Sequence, residues 1–155
     1  GFGVRQLVDV AVKALSPGIN DTTTAVTAVD HLGQILGELA NRRLDETHRF
    51  NGTELRVIVR GITFERLLDS AFEQIIENAR GNKAVMTHLL NFLQRVAALT
   101  AHPARRRALA EQAESLAELV PHIQSTRARL EAITHLAQVR YDLGKPARSA
   151  EVTTD

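Results

Sequence analysis

Six histidines, His31, His48, His88, His102, His122 and His135, are the residues best suited to metal ligation or proton transfer. No two stand three or four apart, so the helical devices that hold metals, His-x-x-x-His and Glu-x-x-His, are absent. The acidic residues are better ordered. Glu65, Asp69, Glu73 and Glu77 recur every fourth position and stack on one face of a helix. Each like-charge pair there costs roughly 0.2–0.5 kcal/mol. A basic partner surface, a divalent cation or nearby Arg66 and Arg80 would offset that cost, and an exposed face screened by salt would tolerate it. Arg105-Arg106-Arg107 opens a later helix at the end where the dipole disfavours cations. It is a candidate docking patch for an anionic headgroup, RNA or the acidic column of another copy, or a solvated face. It lacks the aromatic neighbours on which single-stranded nucleic acid stacks.

The densest polar segment runs from Ser16 through Pro17, Gly18, Asn20 and Asp21 to Thr24. One reading is a ligand loop that presents Asn20, Asp21 and the hydroxyls beside Arg5, Gln6 and Asp9 of the preceding helix. The other is a helix stop and restart, with Pro17-Gly18 in a type II turn and Asn20 or Asp21 as the next N-cap. There is no phosphate loop and no nucleophile elbow, and Ser16 sits in a turn, so catalysis is not expected.

The elements that must carry these residues are helices. Val4–Leu15 is apolar on most of its surface apart from Arg5, Gln6, Asp9 and Lys13, a composition that suits a central helix. A second helix runs to about Arg43, with Gly33 and Gly37 one turn apart where a neighbour can approach closely. Asn51-Gly52, flanked by β-rich residues, predicts a small hairpin over about residues 47–60 with an open edge. Apolar periodicity then predicts helices over 63–79, 83–100 and 103–120, with Pro103 at the first position of the third. Pro121 then either kinks the chain or starts a sixth helix, which ends at Gly144 with Pro146 beyond it. The expected fold is therefore mainly α, a six-helix, bundle-like domain over residues 1–146 with a disordered tail at 147–155.

Composition sets the outer limits. The chain has 155 residues, 19 basic and 18 acidic side chains and no cysteine. A net charge of +1 is a poor match for nucleic acid, and the missing cysteine removes disulfides, zinc thiolates and thiol nucleophiles. No run is long and apolar enough for a helical membrane span, and no signal peptide is visible.

Phe2-Gly3-Val4-Arg5-Gln6-Leu7-Val8-Asp9 and Ala14-Leu15-Ser16-Pro17-Gly18-Ile19-Asn20-Asp21 carry a resemblance. They are similar to the C-terminal soluble part of bacterial integral membrane proteins in the domain-of-unknown-function family numbered twenty-two fifty-four. The match is strong to about Leu32, with Leu67-Leu68-Asp69-Ser70-Ala71-Phe72 a weaker echo. Family members often carry proline after Asn-Asp, where this chain has Thr22. The resemblance implies membrane spans and a β-rich stretch upstream, in keeping with a start at Gly1, and no reaction or cofactor. It places this domain on the cytoplasmic face of the inner membrane. The function expected is interaction or regulation through self-association and contact with that upstream region. Binding of a small ligand or divalent metal at the loop is the alternative.

Overall fold

The computed structural model describes residues 2–42, 47–51, 54–59 and 62–145. Its helices are α1 (Phe2–Leu15), α2 (Thr22–Asn41), α3 (Phe64–Ala79), α4 (Lys83–Leu99), α5 (Pro103–Ala117) and α6 (Thr126–Gly144). The protein is mainly α. Between α2 and α3 the backbone forms two short antiparallel strands, β1 (Thr47–Asn51) and β2 (Glu54–Val59), with Thr47 opposite Val59. The turn expected at Asn51-Gly52 falls partly outside the described residues, and the tail over 147–155 wholly so.

Helix starts follow local chemistry. Asp21, Thr63, Asn82 and Ser125 each accept the backbone N–H three residues on, which satisfies a donor that the helix itself cannot. At α5 Pro103 takes the first position instead. That helix stops at Ala117, earlier than its periodicity suggests. Pro121, which has no N–H to donate, falls in a 3₁₀ turn at Val120–His122. The helix after it begins only at Thr126.

Side-chain contacts fix how the helices run. Asn82 at the start of α4 donates to Thr22 at the start of α2 (2.9 Å), and Gly33 and Gly37 of α2 meet Phe92 and Leu99 of α4. Lys83 and Gln94 of α4 reach Glu131 and Asp142 of α6 at 2.6 and 2.9 Å. Helices α2, α4 and α6 are therefore parallel neighbours in one layer. The odd helices α1, α3 and α5 pack side by side in the opposite sense, forming the second layer. The chain thus stacks three antiparallel helix pairs, a repeat with no counterpart in the sequence. Between the layers lie Leu36, Phe64, Leu68, Ile75, Leu89, Phe92, Leu93 and Leu109, all buried.

The central helix is α4. It buries Val85, Met86, Leu89, Leu90, Phe92, Leu93, Val96 and Ala97. The expectation of a central α1 is corrected: α1 lies at the edge of its layer and buries only Val4, Val8, Ala11 and Ala14. Its apolar residues are mostly valine and alanine, which fill an edge, whereas a central helix needs the bulk of leucine and phenylalanine.

Candidate functional site

The loop between α1 and α2 is built from its own hydrogen bonds. The Ser16 carbonyl accepts from the N–H groups of Ile19 and Asn20 at 3.0 and 2.9 Å, and Asp21 N–H reaches back to Ala14 at 2.7 Å. The left-handed residue is Asn20 at φ 46°, not Gly18, so the expected type II turn is not what forms. An extra helical turn follows Leu15, and asparagine tolerates the conformation that ends it. Asp21 then caps α2, accepting from the Thr24 N–H (3.1 Å) and hydroxyl (2.5 Å). Those bonds, the hydroxyl's first, hold its carboxyl below the usual aspartate range. The Ser16 hydroxyl donates to the Lys13 carbonyl at 2.8 Å. Ser16, Asp21 and Thr24 are thus engaged in stopping one helix and starting the next.

Arg5, Gln6 and Asp9 are exposed on α1, but the structure does not gather them with the loop. Eleven residues separate Arg5 from Ser16, about 16 Å of helix axis. Arg5 instead borders a cleft of about 650 Å³ between the starts of α1 and α3, with Phe2, Val8, Ile62, Arg66 and Gln74 among its lining. Phe2 and Ile62 stand exposed at its mouth.

The arginine triplet divides. Arg105 donates to the carbonyls of Leu39, Ala40 and Arg42 at the end of α2, and its guanidinium lies 5.6 Å from the Phe64 ring centre. Arg106 donates to Ala97 and Thr100 at the end of α4 and to Asp142, Leu143 and Lys145 at the end of α6. Two side chains therefore close the carbonyl ends of all three helices in one layer. Of the three residues expected as a docking patch, Arg105 and Arg106 are thus occupied within the fold, and Arg107 is exposed. That occupancy also explains cations at a helix N-terminus, because the negative ends of three antiparallel neighbours converge there. The sequence signal was that dipole conflict, and its resolution lies inside the chain.

Of the acidic column, Glu65 is half-buried and Asp69, Glu73 and Glu77 are exposed. Asp69 accepts from Gln112 of α5 at 2.9 Å, an interhelical contact that engages it within the fold. Among the described residues no three histidine, aspartate or glutamate side chains converge into a metal-binding group. His88 pairs with Asp30 across α4 and α2 at 2.8 Å. Among the described residues no helix is long and apolar enough to cross a membrane.

Comparison with known proteins assigns a family and no activity. Uncharacterized proteins of Mycobacterium bovis and Mycobacterium tuberculosis are each 38% identical over 112 residues, which is 72% of this chain and 22% of theirs. The chain thus spans about a fifth of the length of these relatives. No solved structure matches it. The family described as "Predicted membrane protein (DUF2254)" matches residues 1–95, and with more than half of its length so matched the chain belongs to that family.

Proposed function

We propose that this domain is an assembly module of a bacterial membrane protein, a non-catalytic interaction or regulatory unit that self-associates on the cytoplasmic face. The observation that carries the reading is a contrast within the surface. Ser16, Asp21, Asp69, Arg105 and Arg106, which resembled site residues, are engaged in capping and clamping the fold, while Phe2, Ile62, Leu130, Ile133 and Tyr141 are each more than half exposed. Several large apolar side chains on one small domain favour contact with protein. Membership of a predicted membrane-protein family supports an attachment to membrane-embedded chain, and the longer relatives leave room for one. An even number of spans upstream would set the domain in the cytoplasm.

The test is the solution mass of the domain by light scattering across a concentration series. A mass rising to a dimer or larger species is the expected result. A monomer at every concentration into the millimolar range would overturn the assembly role.

A further inference from the structure

We infer that the cleft between the starts of α1 and α3 is a binding site for a single-chain anionic amphiphile, an acyl chain that ends in a carboxylate or a phosphate. The inference goes beyond the assembly reading and does not depend on it. The floor of the cleft is apolar and made of short side chains. Val4 and Val8 of α1 and Ala71 of α3 are buried there, with Leu67 half-buried beside them. Bulkier residues at 4, 8 and 71 would fill the space between the two helices. What remains is about 650 Å³, within the roughly 300–1,000 Å³ of small-molecule sites.

The rim is polar and carries charge of one sign. Arg5 on one wall and Arg66 on the other are exposed, and Ser70 and Gln74 continue the α3 wall. Among the described residues no aspartate or glutamate lines the cleft. The separation of charge is visible along α3. Arg66, Ser70 and Gln74 form one row, while Glu65, Asp69, Glu73 and Glu77 form another, about 100° round the helix. Among the described residues neither Arg5 nor Arg66 makes an ion pair or a side-chain hydrogen bond, and Arg66 contributes only its backbone N–H, to Thr63. Arg105, Arg106, Arg129 and Arg140, by contrast, all donate to carbonyls or carboxylates within the fold.

Two guanidinium groups above an apolar floor call for a ligand with both characters. Each guanidinium is a planar fork that matches a carboxylate or a phosphate in paired hydrogen bonds. Two cations that share a cleft also repel one another, and an anion relieves that repulsion. From Arg66 to Gln74 the α3 wall runs about 12 Å along the helix axis, so an acyl chain can lie over Val8, Leu67 and Ala71. A bare inorganic anion would leave this floor wet. A wholly apolar partner would take both arginines out of water without a counter-charge, which is costly.

Calorimetric titration of the chain with dodecanoate and with dodecyl phosphate, each below its micelle concentration, tests the site. One molecule per chain is expected, with a raised melting temperature. Arg5→Gln with Arg66→Gln should raise the dissociation constant at least about tenfold. Ser70→Phe, which narrows the cleft and keeps both charges, should do the same. Arg80→Gln with Arg107→Gln, an equal change of charge elsewhere, should leave it unchanged. All these positions are exposed, and unchanged helical circular dichroism checks the fold. Dodecyltrimethylammonium binding as tightly as dodecanoate would overturn the inference, as would inorganic phosphate matching dodecyl phosphate, or affinity that survives loss of both arginines. Flotation with phosphatidylglycerol vesicles that needs both arginines, without binding of either probe, would make the cleft a membrane contact instead. If neither probe binds and Phe2→Glu with Ile62→Glu dissolves a dimer, the assembly role stands and this inference falls. A monomer that binds dodecanoate through both arginines would do the reverse.

Discussion

At the scale of single residues, the arginine pair at the start of α5 has the largest predicted effect. Arg106 reaches five carbonyls on two helices, at distances of 2.7 to 3.1 Å. Only a planar fork with several fixed donors can do this, because a lysine ammonium is a compact point with shorter lateral reach. Charge-assisted hydrogen bonds contribute roughly 1.5–3 kcal/mol each in favourable settings, and these carbonyls are partly wet in its absence. Arg106→Ala is therefore expected to lower unfolding stability by about 2–3 kcal/mol, with Arg106→Lys recovering less than half. Arg107→Ala should stay within about 0.5 kcal/mol, as a surface change away from such features does. Urea unfolding of the three variants checks the order. Equal losses at 106 and 107 would mean that the clamp contributes nothing.

At the scale of elements, helix packing sets different tolerances at two glycines that look alike in sequence. A methyl on Gly33 would lie 3.0 Å from Cδ2 of Phe92, a buried ring held against Phe72 with ring centres 5.0 Å apart. A methyl on Gly37 would lie 3.4 Å from a terminal carbon of Leu99, which is half-exposed and can turn away. Gly33→Ala should therefore cost about 1–3 kcal/mol through overpacking, despite the better helix former. Gly37→Ala should be neutral or gain up to about 1 kcal/mol from helix propensity. Thermal melts of the pair decide it, and a stabilised Gly33→Ala would contradict the close approach of α2 and α4. The sequence did make this contact legible, since a glycine pair one turn apart marks a close neighbour. It also showed the six helices, Pro103 at a helix start and the stop at Gly144, and it left the cap between Asn20 and Asp21, of which Asp21 serves. Those features are local, and each rests on side-chain identity at a known offset. What it hid is tertiary. The carbonyls that Arg105 and Arg106 bind belong to the main chain, which every residue has, so no side-chain pattern marks them. The three-pair stack is equally silent, because each pair meets different neighbours and its residues vary accordingly.

At the scale of the whole molecule, the layers are not equally well tied, and acid should reveal the difference. Helix α4 buries eight side chains, whereas α6 buries three and relies more on polar attachments. Those attachments are carboxylates. Glu114 is held low by hydrogen bonds from Arg140, Glu131 by Lys83 and then Arg127, and Asp142 by the Gln94 amide. Each has a lower pKa folded than unfolded, so the unfolded or detached state binds more protons and stability rises with pH. Their contribution is complete above the ordinary values of 4.5 for glutamate and 3.8 for aspartate, and is lost as pH falls through the lower folded values. His135, on α6 itself, has its pKa pulled below 6.5 by burial, so protonating it also disfavours the packed helix. A shallow loss should therefore begin below about pH 6.5 and a steeper one below about 4.5. His135→Gln should remove the first and leave the second. Both act where α6 meets α4 and α5, so amide exchange, corrected for its intrinsic pH dependence, should open α6 before α2 or α4. Simultaneous loss of protection in α4 and α6 would show that the third helix pair is as firmly held as the others.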